Sequence, residues 1–266
     1  MIESILLGLI QGITEWLPVS SEGLVTASAT FLLDESLEDA IGISLWLHLG
    51  TALAAFISFK VEILNLTKGF MGNPSYLKGE IGFLFLGTAV STLIGLPLLL
   101  FVGEFFQSSP TTNGTQIFTG LIGIFMIVTG VILLRSNRSG KRKRQDSGTI
   151  DAMLTGAAQG FSVLPGLSRS GLTVSVLLAR GMDRRDALTL SFLLSIPAAA
   201  GAGLYAVFSS GIILSLEHLV AVGVSFITGL VTIRILLKLA DRINFGIFVI
   251  SIGTLLASNI FFAGLI

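Results

Sequence analysis

A chain of 266 residues, 52% hydrophobic and 12% charged with a mean hydropathy of +0.90, carries about half the charge of an average soluble domain. That excludes an ordinary water-soluble enzyme, a nucleic-acid binder relying on a broad basic face and a disordered chain, and leaves an integral membrane protein. Sixteen basic and sixteen acidic residues cancel, so only their positions are informative, and with no cysteine there are no disulfides, thiolate nucleophiles or Cys-ligated metals.

The chain opens on an apolar arm, 4–17, with Glu3 where the basic start of a signal peptide is expected. Pro18-Val19-Ser20-Ser21-Glu22-Gly23 breaks it, and a second apolar arm follows at 24–33. The first full span is expected at 40–59, then a loop at 60–80, a span at 81–103, a loop at 104–115 and a span at 116–134. After a basic loop at 135–149 comes a second broken element. Residues 152–164 are apolar, Pro165-Gly166-Leu167-Ser168-Arg169-Ser170-Gly171 interrupts, and 172–179 is apolar again. Three more spans are expected at 187–207, 219–237 and 243–266. Each of the six spans is near the ~20 residues that cross a bilayer. The arms of the two broken elements are ~12–21 Å long as helices. They are expected to dip into the membrane and return as re-entrant hairpins, 1–33 and 150–180, because irregular backbone at depth needs protein or a watery cavity around it.

Charge supports this topology. Lys60, Lys68 and Lys78, the six basic residues from Arg135 to Arg144, then Arg180, Arg184, Arg185, Arg234, Lys238 and Arg242 all fall on one side if both hairpins re-enter. That side is the cytoplasmic one, and both termini are then external. The run Lys141-Arg142-Lys143-Arg144 sets topology or touches anionic lipid rather than nucleic acid.

The two broken elements resemble each other. Residues 11–23 read Q-G-I-T-E-W-L-P-V-S-S-E-G and residues 159–171 read Q-G-F-S-V-L-P-G-L-S-R-S-G. Each is followed by three spans, an odd number, so the second copy is expected to sit inverted. The expected fold is all-α. A single membrane domain, 1–266, holds a first repeat at 1–134 and a second, inverted repeat at 150–266, with a site where the broken helices meet.

Arg169 is the one basic residue deep in an apolar region, where an unpaired charge costs ~2.5–3.5 kcal/mol or more. With Ser168, Ser170 and the backbone N–H groups of a helix expected to start at Gly171, it suits an anion, above all a phosphate. It also suits an ion pair with Glu15 across the repeat. Glu15 faces two roles, ligand of Mg²⁺ or Ca²⁺ or general base, and Gln11 lies one turn earlier on its face. Glu22 offers a second carboxylate to the same cation, or serves its own helix N-terminus. Ser20, Ser21, Ser168, Ser170 and Thr173 offer hydroxyls as nucleophile, phosphate ligand or cap. His48 reads as a packing histidine within a span and His218 as a solvated loop residue.

The motifs at 11–23 and 165–173 (P-G-L-S-R-S-G-L-T), together with H-L-G-T at 48–51 and S-F-L-L-S-I-P at 191–197, resemble the undecaprenyl-diphosphate phosphatases of the bacitracin-resistance type over essentially the whole chain. The resemblance implies a plasma-membrane hydrolase. It would remove the terminal phosphate of a polyprenyl diphosphate, recycling the monophosphate carrier for cell-envelope glycan synthesis. It implies divalent-cation activation, a site open to the external face and paired re-entrant hairpins. By position it assigns Glu15 as the acid, Ser21 as the serine and Arg169 as the phosphate-binding arginine. Gln11, Ser20, Ser168, Ser170, Gly171 and Thr173 stand as substrate-binding positions around them. Gln11 stands where the family often has Glu, and Leu24 where it usually has His. Attack by Ser21 or by activated water then has to suffice without that histidine, with Glu22 as a substitute. The expected partners are the lipid diphosphate and the membrane, with no nucleic acid and a homodimer left open. The rival class is a transporter or flippase of a phosphorylated lipid or anion.

Overall fold

The computed structural model describes residues 1–72, 79–107, 112–136, 140–209, 215–239 and 245–262. Lys78, Arg138 and Arg242, parts of the expected loops 104–115 and 208–218, and the last residues of the expected final span lie outside the described residues. The described residues form eleven α-helices: α1 (Ile2–Thr14), α2 (Ser21–Leu33), α3 (Leu37–Ser58), α4 (Lys60–Gly72), α5 (Glu80–Gln107), α6 (Thr112–Arg135), α7 (Thr149–Phe161), α8 (Arg169–Ala179), α9 (Arg184–Ser209), α10 (Leu216–Leu239) and α11 (Phe245–Phe262). No strand is found among the described residues, whose one β-bridge joins Arg142 to Met182. The chain is an all-helical, multi-pass membrane protein. Among the described residues, five stretches are long and apolar enough to cross a bilayer: Leu37–Ser58, Glu80–Phe101, Phe118–Arg135, Arg184–Phe208 and Leu216–Leu239. Large apolar side chains such as Phe85, Leu93, Ile227 and Leu255 are exposed on the long helices, as lipid solvation allows. The sixth expected span corresponds to α11, whose described side chains give a shorter apolar stretch, Gly246–Ser258.

Two expectations change. The loop 60–80 contains α4, which follows α3 almost without a break and packs Ile63 and Leu66 against the core around Phe59 and Phe192. Alternating Lys and Glu with apolar residues hides this helix from a hydropathy reading. His218 lies not in a solvated loop but in the first turn of α10. There its amide donates to Ser215 Oγ, and its carbonyl accepts from Trp46 Nε1 across the bundle.

The packing falls into matched pairs. α1 lies along α10 and α7 along α5; α3 packs on α9, α6 on α11, α2 on α3 and α8 on α9. Small residues bring the first two pairs together. A Cβ added at Gly12 would run into Thr228 and Ser225 of α10, and one at Gly160 would run into Ile94 of α5. Gly8 and Gly156, one turn earlier, repeat the pattern against Ala221 and Gly87.

The broken pair α7–α8 begins and ends at one place. Asp151, in the first turn of α7, accepts from Arg180 Nε beyond the last turn of α8 at 2.7 Å, and from Arg142 at 2.7 and 3.3 Å. The Gly148 amide completes the set at 3.0 Å. Thirteen and eleven helical residues run only ~20 and ~17 Å from that point, short of a ~30 Å hydrocarbon core.

Candidate active site

Both breaks are built on the same cap. In the first, α1 ends at Thr14 and Glu15 keeps helical dihedrals, its N–H still bonded to Gln11 O. Pro18 cannot extend the helix, and the chain restarts at Ser20, whose Oγ accepts from Gly23 N at 3.1 Å. In the second, Ser168 caps α8 by accepting from Gly171 N at 3.2 Å. That cap starts the helix at Arg169, two residues before the expected Gly171, and sets the guanidinium on its first turn. The turn before it needs Gly166, at φ +101°, where a side chain would also meet the Ile122 backbone.

The breaks touch each other. Gly166 N donates to Ser20 Oγ at 3.0 Å and Ser170 Oγ to Leu17 O at 2.7 Å. Arg169 Nη2 donates to Glu15 Oε1 at 2.5 Å, and its guanidinium lies 5.6 Å from the Trp16 ring centroid. Glu15 Oε2 accepts from Ser21 Oγ at 2.6 Å and from Gln11 Nε2 at 3.0 Å. Glu15 is 5% exposed. A buried carboxylate has to be paired and hydrogen-bonded, and here both of its oxygens are. Arg169 Nη1 is buried and has no partner among the described residues.

These groups face a cavity of about 110 Å³. Its polar wall consists of Glu15, Ser20, Ser21, Glu22 and Arg169 with His48, Gln159 and Ser162; Val19, Leu45, Leu99, Val163, Leu167 and the alanines 198, 199 and 202 form an apolar wall. Five of the expected site residues therefore line one space. Gln11, Ser168, Ser170, Gly171 and Thr173 stand behind it. Gln11 is fully buried and holds Glu15. Ser168 and Ser170 lie 3.3 Å apart and are spent on the cap and on Leu17. Gly171 N is bonded to Ser168, and Thr173 Oγ1 donates to Arg169 O and meets Ser191 Oγ at 2.7 Å. They shape the break and its helix rather than reach the cavity.

Three polar members of the wall, His48, Gln159 and Ser162, come from outside the expected set. His48 was expected to pack; its Nδ1 donates to Ser44 O at 2.8 Å and its Nε2 lies 3.5 Å from Glu15 Oε2. Gln159, the counterpart of Gln11, donates to Ser91 Oγ and Leu194 O and leaves its own oxygen unpaired among the described residues. The repeat marked that position. His48 opens the motif H-L-G-T at 48–51, which carries part of the family resemblance but no role for the ring.

The donor set bears on the expected cation. Both oxygens of Glu15 already accept from Arg169, Ser21 and Gln11. Glu22 lines the same cavity with no hydrogen-bond or ion-pair partner among the described residues. No cluster of three His, Asp or Glu side chains forms a cage among the described residues. What fits is a hard cation held by Glu22 together with oxygens of a bound phosphate.

The model of a protein family described as "Bacitracin resistance protein BacA" matches residues 4–255. A protein of Methanococcoides burtonii named undecaprenyl-diphosphatase is 40% identical, over 97% of this chain and 98% of its own. Proteins of the same name from Methanothrix thermoacetophila and Methanopyrus kandleri are each 38% identical, over 95% and 91% of this chain and 94% and 89% of theirs.

Proposed function

The chain belongs to the bacitracin resistance protein BacA family, and we propose that it hydrolyses the terminal phosphoanhydride of undecaprenyl diphosphate, releasing phosphate and the lipid monophosphate. The observation that carries this is the line Arg169–Glu15–Ser21 on one cavity wall, a cation and a nucleophile each hydrogen-bonded to the base between them. Arg169, through Nη1 and the rest of its fork, binds the terminal phosphate and stabilises the charge that builds on it. Ser21 Oγ attacks phosphorus as Glu15 takes its proton. The bond to the bridging oxygen breaks, the lipid monophosphate leaves, and water then hydrolyses the phosphoserine. Glu22 would hold a Mg²⁺ or Ca²⁺ ion with the diphosphate oxygens, and the ion would neutralise their charge. The prenyl chain leaves along the apolar wall of Leu45, Leu99 and the α9 alanines.

The whole chain, 1–266, acts as one membrane domain of two repeats, 1–134 and 150–266, the second inverted. α1–α2 and α7–α8 are re-entrant hairpins in a plasma membrane, with both termini and the cavity mouth external. The meeting of Asp151 with Arg180, the basic residues around them and the matched helix pairs support this topology. A homodimer remains compatible with it. The transporter alternative has no comparable support, since the relatives bear the name of a phosphatase.

The test is phosphate release by the purified protein in detergent, given undecaprenyl diphosphate and Mg²⁺ or Ca²⁺. Stoichiometric release of phosphate and lipid monophosphate is expected. No release, with transbilayer movement of the intact lipid in vesicles, would replace the hydrolase by the transporter.

A further inference from the structure

Most titratable groups inside the bundle are accounted for by the hydrolysis above; His48 is not. It sits mid-helix on α3, its side chain 13% exposed, on the wall of the cavity. Ser44 O can only accept, so Nδ1 carries a proton and the neutral ring presents Nε2 as a base. That atom lies 3.5 Å from Glu15 Oε2, the oxygen that receives Ser21 Oγ at 2.6 Å. Leu24, on α2, instead packs with the apolar cluster of Val19, Ile122 and Met126 and contributes no polar atom.

We propose that His48 is a positioning residue for this reaction: it stands behind Glu15 and takes from it the proton that Ser21 gives up. This rests on the hydrolase reading. The Ser21 O–H bond breaks as the Oγ–P bond forms. The proton passes through Glu15 Oε2 to His48 Nε2; as water attacks the phosphoserine and the Oγ–P bond breaks, the imidazolium returns it through Glu15 to Ser21 Oγ, and the water's own protons leave on the released phosphate. A carboxylate passes a proton on at neutral pH, whereas an imidazole can keep it. The charged groups facing His48 are Glu15 from the end of α1, Glu22 from α2 and Arg169 from α8. The cavity residues of α5, α7 and α9 are uncharged, and α4 and α10 contribute none among the described residues.

The test uses the full chain with undecaprenyl diphosphate, Mg²⁺ or Ca²⁺, and two variants. Wild type that releases no phosphate defeats the hydrolase reading itself. With active wild type, His48→Gln is expected to lower kcat about a hundredfold while KM changes less than about threefold. In His48→Ala, added imidazole restores at least a tenth of the lost rate, in proportion to its free-base form. A His48→Gln enzyme with the wild-type rate overturns the proposal. So does a loss in both variants that imidazole does not relieve, which would make His48 a structural residue.

Discussion

The two broken helix pairs share a scaffold and differ in what it carries. Gln11 and Gln159, Gly12 and Gly160, Ser20 and Ser168, and Gly23 and Gly171 hold matching places, and both serines cap the second helix through the matching glycine amide. On that common frame the first copy places Glu15 where the second has Val163, and Ser21 where the second has Arg169. One break brings a carboxylate and a serine hydroxyl, the other the guanidinium, and all three line the same cavity. Even the glutamines differ: Gln11 is buried behind Glu15, while Gln159 looks into the cavity. Two like breaks can thus carry different side chains, because helix caps and glycine contacts fix the backbone and leave the first residue of the returning helix free to differ.

The comparison can be broken from either side. The largest loss is expected for Arg169→Ala, at least about a thousandfold in phosphate release with the protein still inserted, since the charge-stabilising donor goes. Arg169→Lys restores charge without the planar fork and is expected to recover only part of the rate. Ser21→Ala follows, with a loss of about a hundredfold or more if serine attacks, whereas removal of a second-copy hydroxyl, Ser170→Ala, changes turnover less than about fivefold. Full activity of Ser21→Ala would move the attack to water. Glu22→Gln is expected to raise the cation concentration for half-maximal activity by about tenfold, read from a Mg²⁺ or Ca²⁺ titration.

Effects on stability rather than chemistry come next. Asp151→Ala strands Arg142 and Arg180 at the ends of the second hairpin and is expected to cost about 3 kcal/mol, seen as an earlier thermal transition in detergent. Burial pushes the Asp151 carboxyl up, but hydrogen bonds from Arg142, Arg180 and the Gly148 amide more than offset it and hold it at about 2. The stabilisation it gives is therefore complete above pH ~4 and lost as the pH falls through about 2. The smallest effect is that of Ser168→Ala, about 1 kcal/mol for a lost cap.

Much of this was legible in the residues. Six long apolar stretches, two segments too short to cross and an arginine isolated in one of them point to a membrane protein with paired breaks. The need of Arg169 for a buried counter-charge singles out Glu15. What stayed hidden depends on tertiary placement. A histidine in an apolar span looks the same whether it packs or lines a cavity, and only the docking of α1 beside α3 brings His48 to Glu15. α4 escaped because its apolar residues are interleaved with charge. α8 starts two residues before the expected Gly171 because Ser168, not the glycine, caps the helix.

That two separate breaks form one reaction centre is tested most directly by a double-substitution cycle on Glu15→Gln and Arg169→Ala, read as phosphate release from undecaprenyl diphosphate. Groups acting as one unit are grossly non-additive, so the double variant is expected to be no slower than the slower single variant. Losses that multiply would place the carboxylate and the guanidinium in separate tasks and contradict the shared site.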